Sequence, residues 1–132
     1  MRWFEKLCQR HEGSKEFSSL LTYQGGAWVD ENDRPLPPDF STALTGAFQA
    51  QGVVLNNEDS VLAQVEIRSD AVGDDEKITI DGDLIFNGQS LFGFPKNPQE
   101  AKAQYMLLRA FDNHFRSEAS EMNLDWRPWR KD

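Results

Sequence analysis

A chain of 132 residues, 39% of them hydrophobic and 11% aromatic, has the size of one domain with one core and too much Phe and Trp to be disordered throughout. Its formal charge of −8 is uneven: residues 17–100 carry 14 acidic against four basic side chains, a field that repels phosphates and excludes nucleic acid as a partner of that segment. The single cysteine, Cys8, excludes an intrachain disulfide and a cysteine-based metal site, and no apolar run reaches the roughly 18 residues of a membrane-spanning helix.

The N-terminus lacks the uninterrupted apolar segment of a signal peptide, so the cytoplasm is the expected compartment. Trp3, Phe4, Leu7, Cys8 and His11 fall at helical spacing and predict a short amphipathic helix over residues 2–11, ended by Gly13. Residues 17–30 predict a hairpin whose strands, 20–24 and 27–29, flank Gly25 and Gly26, which tolerate the positive φ of a tight turn. Residues 30–39 hold four acidic side chains and three prolines and form a loop, read as a surface crossing or a lid.

A second helix follows, capped by Asp39 or Ser41 and ending near Gly52. Phe40, Ala43, Leu44, Ala47 and Phe48 share one face, and Gly46 marks a close contact with another element. After a short strand at 53–55, the alternation of Val61, Ala63, Val65 and Ile67 predicts a strand over 60–68. It opens a three-stranded antiparallel meander with 77–86 and 89–94, the last two joined by an Asn87-Gly88 turn and the middle one kinked at Gly82.

The strongest helix signal is Asn97, Pro98 and Glu100: an N-cap, a proline where no N–H is needed, and a carboxylate able to reach back to the cap. The helix runs over 97–122, with a stripe of Ala101, Tyr105, Leu108, Phe115 and Met122 widened by Leu107, Phe111 and His114. The tail, 122–132, interleaves Trp126 and Trp129 with Arg127, Arg130 and Lys131 and packs back on the domain or on a partner. The fold class is therefore α+β: one domain over residues 1–132, with an antiparallel sheet of about five strands against a long C-terminal helix, and two shorter helices. The order of elements, the small size and the low pI, and nothing else, resemble dimeric acidic chaperones that hold secretion substrates.

The chemistry-bearing residues are few. His11 and His114 sit in predicted helices at semi-apolar positions, as structural histidines do, and no nucleotide-binding, nucleophile-elbow or zinc-protease pattern occurs. Asp70, Asp74, Asp75, Glu76, Asp81 and Asp83 offer oxygen ligands, but the D-G-D order lacks EF-hand spacing, so no metal and no cofactor is expected. The predicted function is a non-catalytic acidic interaction module, homodimeric, with a basic protein as partner and no nucleic acid or membrane. Asp74, Asp75, Glu76, Trp126, Arg127 and Trp129 are its candidate contacts. The alternative is a small-molecule binder, or a modest enzyme with a single acid such as Asp83 or Asp112. Its pocket lies between sheet and long helix, near Tyr23, Trp28 and Phe86, with Phe92 and Phe94 as further lining candidates.

Overall fold

The computed structural model describes residues 3–5, 13–56, 61–70 and 77–128. These form an α+β fold in the order β1 (Ser14–Gln24), β2 (Ala27–Val29), α1 (Pro38–Ala50), β3 (Leu62–Asp70), β4 (Thr79–Phe86), β5 (Gln89–Ser90), α2 (Pro98–Glu121) and β6 (Asp125–Arg127). The six strands make one sheet, ordered β2-β1-β3-β4-β5, with β6 beside β5 on the outer edge of β4.

The period-two patterns set the register. Phe17 faces Ile67, Leu21 faces Ala63 and Val65 faces Leu84, so one sheet face collects the apolar side chains. Both helices cover that face. Phe48 of α1 stacks on Trp28 at 5.3 Å and meets Phe86 edge-on at 4.6 Å. From α2, Phe111 reaches the backbone of β4, where a Cβ on Gly82 would lie 3.3 Å from its Cζ. The helices run antiparallel: Phe40 near the start of α1 touches Phe111 and Phe115, while residues just past its end share a cleft with the start of α2.

The long helix starts as expected, with Asn97 Oδ1 accepting from Glu100 N–H at 2.8 Å. The Glu100 carboxylate does not complete a capping box; its Oε1 accepts from Gln104 Nε2. The buried stripe is also rotated from the expected one. Glu100, Gln104, Leu107, Phe111, Phe115, Glu118 and Ala119 face inward, and Tyr105 faces solvent. Burying Leu107, Phe111 and Phe115 contributes about 1.5–3 kcal/mol each, which sets the rotation that Tyr105 then follows.

Both helices end in the same way. Gly52 and Asn123 take positive φ, and the residues after them, Val53 and Leu124, donate back to Phe48 O and Ala119 O. At α1 this stop uses Val53, and residues 53–55 form no strand. At α2 it reverses the chain so that Asp125 N–H donates to Ile78 O, and β6 pairs parallel with β4, a strand the sequence reading lacks.

Other expectations change too. The described residues hold two helices, not three: Trp3 to Glu5 lie in a turn, and the rest of 2–11 is outside the described residues. What anchors this turn is burial of Trp3 and Phe4 against Phe115, with Phe4 N–H donating to Glu118 Oε1 at 3.0 Å. α1 starts at Pro38 with no side-chain cap, because Pro37 and Pro38 set the entry and neither Asp39 nor Ser41 stands before the first turn. β4 pairs with β3 without a break from Thr79 to Ile85, so Gly82 is neither kink nor bulge. β5 stops at Ser90 because Ser90 Oγ accepts from Phe92 N–H and turns the chain.

Candidate functional site

Two concavities open on the helix side of the described residues. The first is a groove of about 500 Å³ along the α1/α2 seam, lined by Asp39, Thr42, Ala43 and Gly46 on one wall and by Ala103, Met106, Arg109, Ala110 and Asn113 on the other. Small side chains make its floor. Gly46, expected to mark close packing, does the reverse: no atom lies within 4 Å of where its Cβ would stand, so the glycine leaves space open. Met106 on the wall is 55% exposed and its neighbour Tyr105 is 61% exposed, with Arg109 lying over the Tyr105 ring at 5.9 Å. Among the described residues neither Asp39 nor Arg109 has an ion-pair partner.

The second is a cleft of about 660 Å³ where the end of α1, the turn after β5 and the start of α2 meet. Its lining is polar, and it includes two buried side chains, Glu100 and Gln104, one helical turn apart. Phe94 belongs to the same lining and is 99% exposed.

The residues singled out from the sequence lie elsewhere. Tyr23, Trp28 and Phe86 are brought together, through Phe48, in an aromatic cluster: Tyr23 meets Trp28 edge-on at 5.4 Å, and Trp28 Nε1 donates to Thr45 Oγ1 at 3.0 Å. None of the three lines the groove or the cleft. Trp126 is buried between Phe4, Phe111 and Phe115, with its Nε1 donating to Asp112 Oδ1 at 3.1 Å. Arg127 is exposed, and Asp74, Asp75, Glu76 and Trp129 lie outside the described residues.

No family model, curated protein or solved structure matches this chain.

The carboxylates have structural partners. Asp112 accepts from Arg116 as well as from Trp126; Asp81 accepts from Arg68 at 3.0 Å; Asp83 Oδ1 accepts from its neighbour's Leu84 N–H and from Ser90 Oγ. Among the described residues no group of three His, Cys, Asp or Glu is arranged to hold a metal ion, and no helix is long and apolar enough to cross a membrane. His114 packs against Phe40 and Phe115, and burial pushes its pKa down.

Sequence reasoning missed Met106, Glu100 and Gln104 as site residues. One signal was present: Glu100 and Gln104 continue the line of Leu107, Phe111 and Phe115, and polar residues on a buried line ask for partners. Phe94, a candidate for pocket lining or for core, lines the cleft; it stands between Gly93 and Pro95, a turn context that favours exposure.

Proposed function

We propose that the protein is a non-catalytic interaction module that works as a homodimer, with the α1/α2 groove as the seam between two copies. The observation that carries this reading is the pairing of an open, small-residue floor at Ala43, Gly46, Ala103 and Ala110 with an exposed Met106 beside it. A two-fold contact needs a surface that is complementary to itself, knob and hole on one patch. Met106 is the knob and Gly46 opens the hole. Asp39 and Arg109 supply opposite charges on opposite walls, so each can meet its mate on the second copy, which favours a copy of this chain over an unrelated helix.

A stable contact of this kind buries upwards of about 1,000 Å² in total. The groove, with Tyr105 and Arg109 as its border, provides the centre of such an area. The negative charge of residues 17–100 then remains for a basic protein partner, bound away from the seam.

Light scattering at tens of micromolar tests the reading. The expected result is twice the chain mass for the wild type and a single chain for Met106→Glu, which places a charge in the seam. Met106 is half exposed in the single chain, so the substitution leaves its fold intact. A wild type of single-chain mass at that concentration contradicts the proposal.

A further inference from the structure

We propose that the cleft between the end of α1, the β5 turn and the start of α2 binds a small ligand by its protonated amino group, seated on Glu100 and Gln104 with Phe94 against its flank. Glu100 and Gln104 are 6% and 9% exposed, yet both line the cleft. Gln104 Nε2 donates to Glu100 Oε1 at 3.1 Å. That leaves Glu100 Oε2 and the Gln104 amide oxygen as acceptors with no donor from the described residues. A largely buried carboxylate satisfied by a single neutral amide is short of donors, since a carboxylate accepts about four and a buried charge is ordinarily paired.

The neighbours do not make up the deficit. Lys96 lines the same cleft without an ion pair to Glu100, and the Asn97 side chain, whose Oδ1 accepts from Glu100 N–H, makes no bond to the Glu100 carboxylate. Ser90 Oγ donates to Asp83 and accepts from Phe92 N–H, so it too is committed. Both acceptors are open to the cleft, where a compact donor carrying positive charge could reach them.

The geometry selects among cations. Two single acceptors on one lining suit an ammonium, whose three donors point in different directions. A guanidinium fork takes both oxygens of one carboxylate, and here Oε1 is held by Gln104. A divalent metal needs more oxygen ligands than one carboxylate and one amide provide. Phe94, 99% exposed at the cleft, offers an open ring face, and ammonium groups are attracted to such faces within about 6 Å. The cleft volume of about 660 Å³ falls in the range of small-molecule sites, and the net charge of −8 concentrates cations at the surface.

Three probes of matched shape test the proposal by NMR titration, read on the Gln104 side-chain amide and the Ser90 and Gly93 backbone amides: n-butylamine, n-butanol and n-butylguanidine. The expected result is saturable shifts with the amine, none with the alcohol, and weaker binding of the guanidine. Glu100→Gln should weaken amine binding at least about tenfold, the loss of a charged acceptor. Phe94→Ala, at a side chain too exposed to support the fold, should weaken it by roughly twofold to fivefold, as loss of an exposed cation–π contact does. No shift with the amine, equal shifts with amine and alcohol, a guanidine that binds as tightly as the amine, or full affinity in Phe94→Ala each overturns the assignment.

Discussion

At Gly82 the absence of a side chain decides how three elements meet. A Cβ there would stand 2.7 Å from Trp126 Cη2, 3.1 Å from Cζ3 and 3.3 Å from Phe111 Cζ. Both neighbours are buried rings with no free end to swing aside, and Trp126 is further held by its bond to Asp112. Gly82→Ala should therefore destabilise the protein by about 1–3 kcal/mol, the usual range for overpacking a tight core. Chemical denaturation measures this, and a variant as stable as the wild type would mean that the rings have room to shift. The sequence suggested a kink at this glycine because Asp-Gly is a turn signal and local context is all that a turn signal reads. The actual reason is Trp126, far along the chain, which no local pattern reveals.

At the scale of elements, patterning was legible where apolar residues do the packing. The α1 face of Phe40, Leu44, Ala47 and Phe48 and the turn of the β1–β2 hairpin have the expected places, although β1 begins at Ser14 and not at residue 20, and α2 starts at its expected cap. It failed where polarity and burial part company: α2 buries Glu100, Gln104 and Glu118 and exposes Tyr105 and Met106, so hydropathy alone places the stripe off axis. His114 lies at this seam, its ring against Phe40 of α1 and Phe115 of α2.

Burial lowers the His114 pKa from its ordinary value of about 6.5. As pH falls below that value the unfolded chain takes up a proton that the folded chain resists, so the unfolded state binds more protons and stability drops. The loss is complete once pH passes below the lowered folded value. Stability measured from pH 7.5 downwards should thus fall more steeply in the wild type than in His114→Gln, which has no proton to take up. Parallel curves would show that the histidine titrates alike in both states.

For the whole molecule, charge and size were legible from the start, and the layout of a sheet beneath a long helix follows from alternation and one strong cap. The groove and the cleft were not legible, because each is a space between elements distant in sequence: Gly46 and Ala103 line the groove from opposite helices, and the β5 turn and the start of α2 line the cleft. Such spaces carry the proposed function, since the exposed side chains border them and the aromatic residues first suspected are largely occupied in the core. The self-complementary seam makes a demand that a general sticky surface does not: its two charges must be exchangeable. The most direct measurement is sedimentation equilibrium on the wild type, Asp39→Arg, Arg109→Asp and the double swap. The seam predicts a dimer for the wild type, weakened association in each single reversal, and recovery in the double swap. Association indifferent to the single reversals, or no recovery in the double swap, would contradict it.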